Sequence, residues 1–468
     1  MAGSLGSRSF DGPSVSRSRA DRQSWLPSPR AYPALLLLVL GLFLGGSSGG
    51  NPLRETAVQV AAVFVIAFVL LARRQEGPGP GLPATLTLAG LALLFLIQLI
   101  PLPYELWASL PGRDLPAAVL QTASIGPEPR PLTLDRDRTV AAALALLAPL
   151  AMFLATAYAS SKDRLILAWA VIGCAIASFA LGALQLSAGS QAGTFSLYDS
   201  SHVGQPIGFF ANSNHQADLM LIALVLVGVL TPKAIGTGRR RIEVPILSYG
   251  VMAAFAIATV LTSSRMAILL LPFALLTSLV RGGSFRHASG IVVCVCLVIL
   301  AAVLGFGGSH VFSTSLAGVS NIDDIRFIGW QDVLYAIGQF SWAGSGIGTF
   351  QDVFKTVESL SFVSPNIFNR AHNDYLEFIL ETGAFGAVLL AAYLALLAMS
   401  AFRIFRSKAT GPSTELAYGS LICVLLLMAH SIVDYPLRTV MISIVFGFCW
   451  GAILAGVRDE GSAKRRKE

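Results

Sequence analysis

Long apolar segments, separated by short polar ones, recur along nearly the whole chain. Most of them are about 17 to 25 residues long, the length of α-helix that crosses roughly 30 Å of hydrocarbon. Residues 61–72 are apolar on every face, whereas a strand of a membrane β-barrel would alternate in polarity. The pattern therefore predicts an all-α, polytopic integral membrane protein.

The apolar segments predict about twelve transmembrane helices. These spans lie near residues 33–47, 56–72, 83–101, 139–160, 165–187, 207–230, 244–262, 266–280, 289–305, 383–402, 415–432 and 438–457. Two polar segments, 102–138 and 306–382, are too long to be simple turns, and loops of this length usually carry function. Within the second, 330–339 and 349–358 are expected to form short helices at the membrane face.

Charge predicts the orientation of these spans. Only 13% of the 468 residues are charged and 54% are hydrophobic, which excludes a soluble globular enzyme. With the N-terminus inside, cytoplasmic loops and tails hold most of the 33 lysines and arginines, as the positive-inside rule requires. Both termini are therefore expected in the cytoplasm. Basic loops that face anionic lipid account for the net charge of +7 without a nucleic-acid partner.

The predicted order of segments places both long loops on the side of the membrane opposite the termini. From the N-terminus, the segments are a disordered basic tail at 1–32, nine spans over 33–305 with the loop 102–138, a large loop at 306–382, three spans over 383–457 and a basic tail at 458–468.

The densest group of polar residues precedes the tenth span. Its candidate side chains are Arg370, His372, Asn373, Tyr375, Glu377 and Glu381. On a helix, residues three and four apart share a face, so His372, Tyr375 and the two glutamates would form partly aligned rows. An imidazole can remove a proton near neutral pH, and a nearby carboxylate can orient it. The alternative is a capped interfacial helix with a polar rim.

Two arginines are candidates for binding an anionic substrate. Arg265 interrupts the apolar sequence between two spans, and an ionisable residue at membrane level is costly unless it is paired or lines a polar cavity. Arg326 lies on the same predicted side, and guanidinium groups present a planar fork of donors to phosphate oxygens. In the alternative interpretation, Arg265 extends to lipid headgroups and Arg326 pairs with Asp323 or Asp324. An adjacent acidic pair is a weak signal for a metal, and neither a metal nor a cofactor is expected.

Two further polar pairs lie at the ends of spans. Asn214 and His215 enter a span together and either cap the helix or line a cavity. His430 and Asp434 are four residues apart at an external span end, where a structural pair and a functional site are both open.

Short motifs follow one another in a characteristic order over residues 85–455. They are 98–103, 212–217, 263–265, Arg326 with Trp330, 344–350, 372–376 with 381–383, and 430–436. The most specific is His-Asn-x-Tyr-Leu at 372–376 followed by Glu-x-Gly at 381–383. In this set the chain resembles the bacterial O-antigen ligase and O-antigen polymerase (Wzy-C) family of polytopic glycan transferases.

The resemblance implies a GT-C-like membrane enzyme of the bacterial inner membrane with a periplasmic active site. Such an enzyme moves a glycan from undecaprenyl diphosphate to an acceptor hydroxyl without a nucleotide sugar. For this chain it implies that Arg265 and Arg326 bind the diphosphate and that His372 is the base. The acceptor stays open between lipid A-core, a lipid-linked glycan and a protein. Membrane lipids, a flippase and a chain-length regulator are the other partners expected.

A twelve-span transporter is the alternative from a different class. It would place charged residues near the middle of spans, along a translocation path. In this sequence the charges concentrate at external ends and in one long external loop, while span interiors such as 292–304 are uncharged. A purely structural membrane protein is the third possibility, and the ordered motifs favour the transferase over both.

Overall fold

A computed structural model describes residues 26–49, 51–71, 76–200, 202, 204–231, 240–281, 325–360, 368–407, 409 and 411–465. The predicted span 289–305, the pair Asp323–Asp324 and most of the predicted N-terminal tail lie outside these residues.

Helices dominate the described residues. In chain order they are α1 Tyr32–Leu44, α2 Pro52–Leu71, α3 Leu82–Leu99, α4 Tyr104–Ala108, α5 Asp114–Thr122, α6 Arg136–Ala145, α7 Leu147–Tyr158, α8 Ser161–Ala188, α9 Ser213–Leu230, α10 Arg240–Leu261, α11 Arg265–Arg281, α12 Ile325–Phe340, α13 Phe350–Val357, α14 Asp374–Arg406, α15 Pro412–His430 and α16 Val440–Arg465. Two 3₁₀ helices, Gly189–Phe195 and Pro436–Arg438, and a pair of two-residue antiparallel strands, β1 Pro101–Leu102 and β2 Arg130–Pro131, complete them.

Length and hydropathy confirm an all-α polytopic membrane protein. Among the described residues, eight helical segments are long and apolar enough to cross a membrane, one of them formed by α6 and α7 together, and three shorter apolar helices accompany them. Two helices extend beyond the predicted spans. Helix α14 begins at Asp374 rather than at 383, and α16 continues to Arg465, into the predicted C-terminal tail.

The core of the bundle lies around α9, α15 and α16. Of the most apolar window of α9, 94% is buried, because this helix is surrounded by other helices rather than by lipid. Helix α16 approaches α7 closely at Gly447, where a Cβ atom would lie 2.2 Å from the carbonyl oxygen of Pro149. Small residues at such contacts let transmembrane helices pack backbone against backbone.

Residues near both termini contact the same end of the bundle. The hydroxyl of Ser28 donates to Asp163 at the start of α8 over 2.7 Å, so residue 28 is held in place within the predicted disordered tail. The next residue of α8, Arg164, is buried and forms an ion pair with Asp459 of α16. This end is the opposite end of α8, α9 and α16 from the candidate site described below.

Helix α14 is interrupted at Gly383, whose backbone is in a left-handed conformation (φ 58°, ψ −144°). A glycine-rich loop, 344–348, packs against this break: Ser345 N donates to Leu380 O over 3.0 Å and Gly346 N donates to Glu381 O over 2.9 Å. The buried side chain of Gln98 at the end of α3 donates to the same Glu381 carbonyl over 3.0 Å. Three segments that are far apart in sequence therefore meet at the break.

The first long loop contacts the same region. Its Arg113 is fully buried, and the guanidinium donates to the carbonyls of Leu132 and Gly344 over 2.6 and 3.1 Å. The guanidinium also lies over the rings of Trp107 and Phe340. Burial lowers the pKa of Arg113 to about 10. The second long loop contains α12 and α13, which confirms the two short helices predicted there.

Candidate active site

The candidate site lies at the end of the bundle where α9, α14 and α16 begin and α15 ends. This end is named the site end below. Direct contacts define it: Asp374 N, at the start of α14, donates to Ser431 O just after α15 over 2.9 Å. Thr439, just before α16, hydrogen-bonds His215 of α9 over 2.7 Å.

His372 lies immediately before α14, in a left-handed backbone conformation with φ 48°. Asn373 caps the helix, because its side-chain oxygen accepts from the backbone amides of Tyr375 and Leu376 at 3.0 Å each. The predicted helical alignment of His372 with Tyr375 is therefore wrong. The hydroxyl of Tyr375 instead donates to Met428 O over 2.8 Å, away from the imidazole.

The carboxylate that faces His372 comes from a distant part of the chain. Asp434 Oδ1 lies 3.6 Å from His372 Nδ1, and the Asp434 side chain is fully buried while that of His372 is 21% exposed. The imidazole is held between aromatic rings, with centroids 5.3 Å from Phe368 and 4.9 Å from Tyr435. Because Nδ1 of His372 faces the carboxylate, Nε2 is the ring nitrogen that can contact a substrate.

Asp434 is held as a carboxylate. It accepts from the side-chain amide of Asn214, and from Tyr435 N over 2.9 Å. Burial by itself would raise the pKa of Asp434. The adjacent imidazole of His372, helped by two further histidines and by Arg326, lowers the pKa of Asp434 well below its ordinary value. Asn214, a predicted supporting residue, thus reaches the site through Asp434.

His215 and His430 lie behind Asp434, inside the bundle. His215 is 1% exposed, hydrogen-bonds Thr439 through Nδ1, and packs edge-on against Tyr435. His430 Nδ1 lies 2.6 Å from Asp218 Oδ1, and His430 Nε2 lies 4.0 Å from Asp434 Oδ2. The His430–Asp434 pair seen in the sequence is therefore one link of a longer buried cluster.

The two glutamates predicted beside His372 belong to a separate ion network centred on Arg438. The guanidinium of Arg438 lies 3.2 Å from Glu377 Oε1, 3.3 Å from Glu381 Oε2 and 3.7 Å from Asp374 Oδ1. These three carboxylates raise the pKa of Arg438 against the effect of burial. Neither glutamate forms an ion pair with His372 among the described contacts.

The network fixes the backbone on both sides of the site. Glu377 accepts from Arg370 over 2.9 Å and from Ala371 N over 3.0 Å, so it holds the residue that precedes His372. Glu381 accepts from Gly348 N and Phe350 N over 2.9 and 3.2 Å, so it holds the glycine-rich loop. Glu377, Glu381 and Arg370 therefore position neighbouring segments.

Both predicted phosphate-binding arginines lie at the site end. Arg326 is the second residue of α12, donates to Val433 O over 2.7 Å, and its charge acts on Asp434. Arg265 begins α11 and is exposed. Farther along α11, Thr277 O accepts from Tyr418 of α15 over 3.3 Å. Arg265 precedes Thr277 in α11 by as many residues as His430 follows Tyr418 in α15. The two side chains therefore lie at the same level of the bundle.

The arrangement combines a partly exposed imidazole, a buried carboxylate behind it and arginines at the same end. This arrangement can accept a proton from a hydroxyl group and bind an anion nearby. Within the part of the chain that the structure describes, no group of three or more His, Cys, Asp or Glu side chains could hold a metal ion.

Three contributors were missed from the sequence. Sequence reasoning connected Asp434 only with His430, and it singled out neither Asp218 nor Arg438 as a site residue. Four-residue spacing connected His430 with Asp434, but no local spacing connects Asp434 with His372 or Arg438 with the glutamates.

Comparison with known proteins finds a family model that matches part of the chain. The sequence model described as O-antigen ligase (Wzy_C) matches residues 250–391, which include Arg265, Arg326 and His372. No curated protein matches the chain. The match at residues 250–391 confirms the resemblance to the O-antigen ligase (Wzy_C) family that the motifs indicate.

Proposed function

We propose that this protein transfers a glycan from undecaprenyl diphosphate to an acceptor hydroxyl group at the periplasmic face of the bacterial inner membrane. The observation that carries the proposal is the contact between His372 and the buried Asp434 at the site end, inside and beside the matched family domain. The biological setting is polymerisation or ligation of a polysaccharide such as O-antigen or an exopolysaccharide.

His372 is the base in this proposal. Its Nε2 accepts the proton of the acceptor hydroxyl while Nδ1 faces Asp434, which stabilises the imidazolium that forms. The hydroxyl oxygen attacks the anomeric carbon of the donor. The bond from that carbon to the diphosphate oxygen breaks, and its electron pair leaves with the diphosphate. Attack from the face opposite the leaving group inverts the configuration of the anomeric carbon.

Arg265 and Arg326 bind the diphosphate. A lipid diphosphate is already a good leaving group, so the protein mainly has to bind its charge and orient the nucleophile. Guanidinium groups form two parallel hydrogen bonds to phosphate oxygens, and both arginines lie at the level of His372. We expect transfer to be insensitive to a chelator of divalent cations.

The proposed orientation places both termini in the cytoplasm. Two independent features support it. The lysines and arginines concentrate in the predicted cytoplasmic segments. Residues near both termini, represented by Ser28 and Asp459, lie at the end of the bundle opposite the site. A lipid-linked glycan that has crossed the membrane would then meet His372 on the outer side, after a flippase has acted.

Lipid A-core and a second lipid-linked glycan are the acceptors we favour, and a protein is the third. The loop 102–138 contributes to acceptor selection in this proposal, because buried Arg113 links it to Gly344 beside the break in α14. A chain-length regulator would be a partner of the polymerase form.

The experiment uses purified protein in liposomes with the host's undecaprenyl-diphosphate glycan, with and without lipid A-core. A ladder of products without lipid A-core identifies a polymerase, and a single shift that requires lipid A-core identifies a ligase. His372→Ala should abolish either product while the protein level is unchanged. Tyr375→Phe is the matched control, because its hydroxyl contacts only Met428 O among the described hydrogen bonds. Normal transfer by His372→Ala would remove the base assignment.

One observation favours transport as the second candidate function. His430 and Asp218 form a buried ionisable pair within predicted spans, which in membrane proteins often marks an ion path. The pair lies at the ends of its two helices, beside His372, which fits a role in the candidate site better than a path across the membrane. Uptake of the glycan lipid by proteoliposomes without any transfer product would favour the transporter.

A further inference from the structure

A row of alternating histidines and aspartates leads from the candidate site into the bundle. His372 Nδ1 lies 3.6 Å from Asp434 Oδ1, Asp434 Oδ2 lies 4.0 Å from His430 Nε2, and His430 Nδ1 lies 2.6 Å from Asp218 Oδ1. Only His372 is partly exposed, whereas the other three side chains are at most 2% exposed. The mechanism above uses only His372 and Asp434.

The surroundings of His430 favour a positive charge on its ring. Each of its ring nitrogens faces a carboxylate oxygen, one on either side of the ring. A neutral imidazole has one N–H group and one lone pair, so one carboxylate would face a lone pair. An imidazolium presents an N–H group to each carboxylate: it donates to Asp218 over 2.6 Å and acts on Asp434 through its charge at 4.0 Å. Two carboxylates buried this close together also need a positive charge between them, because an uncompensated buried charge is costly.

The charges around His430 are consistent with this assignment. The titratable and charged side chains that act on it are Asp218 and His215 of α9, Asp434 after α15 and Arg326 of α12. At the start of α14, His372 contacts Asp434 and Asp374 contacts Ser431, the residue after His430. Of the carboxylates, Asp374 lies 3.7 Å from the guanidinium of Arg438, which already compensates it. Asp218 and Asp434 remain, opposite Arg326 and His430.

We propose that His430 is held as an imidazolium by Asp218, and that its positive charge limits how strongly Asp434 attracts a proton to His372. His430 and Asp218 are then positioning residues that touch no substrate. This inference rests on the proposed function, in which His372 must be free of a proton before it can accept one.

The positive charge of His430 weakens the effect of Asp434 on His372 without removing it. Without the imidazolium, the full negative charge of Asp434 would act on His372 and favour its protonated form. Without Asp434, the imidazolium that His372 forms during transfer would lose its partner. In this proposal the cluster weakens the attraction of Asp434 for a proton on His372 while retaining a carboxylate for the reaction.

The test is the pH dependence of kcat/KM for transfer. In His430→Gln the side chain keeps hydrogen-bonding groups and loses the charge, and we expect the acid-side midpoint to move up by about one pH unit. Below the midpoint this means a roughly tenfold lower activity than wild type at the same pH. Asp218→Asn leaves His430 in place without its partner and should move the midpoint in the same direction.

Thr439→Val is the matched control. This variant removes a buried hydrogen bond to His215 at the site end without changing any charge. The acid-side midpoint should therefore stay at its wild-type value. If His430→Gln and Asp218→Asn lose activity with an unmoved midpoint, the pair has a structural role only and the proposal is overturned.

A measurement on the wild-type protein does not depend on any variant folding. The chain has six histidines, and ¹⁵N NMR of histidine-labelled protein in lipid at pH 8 should show one that is protonated on both nitrogens. Six neutral imidazoles at pH 8 would overturn the proposal. Failure of the proposed function is distinguishable, since transfer by His372→Ala would remove the base and leave the NMR signal of His430 unchanged.

Discussion

Replacing Gly383 by alanine tests whether the break in α14 organises the site. Gly383 has φ 58° and ψ −144°, a conformation that is essentially restricted to glycine. A Cβ atom there would lie 2.2 Å from Trp342 O and 2.8 Å from Gly344 N. Both neighbours are backbone atoms, so no side chain can rotate away to make room.

Two costs add in this variant. An alanine in such a backbone region costs about 1–3 kcal/mol, and inserting a methyl group into a tightly packed position costs about 1–3 kcal/mol more. Gly383→Ala should therefore destabilise the protein by ~2–6 kcal/mol. Relief of the clash moves the loop 342–348 away, which also lengthens the hydrogen bond from Gly348 N to Glu381.

Thermal unfolding in lipid nanodiscs measures this cost. Cys174, Cys423 and Cys449 are buried free thiols, so a thiol-reactive dye reports unfolding as they become accessible. Gly383→Ala should unfold several degrees below wild type. The matched control is Gly338→Ala, an exposed position in α12 where a Cβ atom would meet nothing within 4 Å. That change should be neutral or stabilise by up to about 1 kcal/mol, because alanine favours a helix over glycine.

The outcome that refutes this reasoning is a Gly383→Ala protein that unfolds at the temperature of wild type and of Gly338→Ala. It would mean that the break in α14 can be straightened at no cost, and that the contact of the glycine-rich loop with Glu381 does not depend on it.

Three further variants test the site. Arg265→Lys should reduce transfer severely in the liposome assay, because an ammonium group cannot make two parallel hydrogen bonds to phosphate; near-normal activity would instead support contact with lipid headgroups. Arg438→Gln should cost ~3–5 kcal/mol in thermal unfolding, since Glu377 and Glu381 would keep buried charges without their shared partner. The pKa of Asp434 is lowered, so its carboxylate stabilises the fold above an unfolded-state pKa of about 3.9, and this stability is lost only as pH falls through the folded-state value. Asp434→Asn should therefore destabilise equally at pH 5 and pH 7, and a difference that shrinks at pH 5 would contradict the lowered pKa.

The sequence was sufficient to predict the membrane helices. Their apolar length is a local property, set by the thickness of hydrocarbon that a helix must cross, and it needs no knowledge of neighbours. The tenth span was predicted to begin at Gly383, but the sequence did not indicate that a helix starting at Asp374 continues into it through a break. Glycine can adopt left-handed backbone conformations anywhere, and only the loop 342–348 packed against α14 selects one at this position.

The same distinction between local sequence and tertiary packing applies to the candidate residues. The sequence identified His372, Arg265 and Arg326 because their types and motifs indicate base and phosphate chemistry. The tertiary structure decided what each polar residue contacts: Asp434 reaches His372 because α15 ends beside the start of α14, and Glu377 and Glu381 contact Arg438 instead. Helical spacing predicts neighbours on one helix only. The partner of a side chain that leaves its helix depends on which other helix ends are packed beside it.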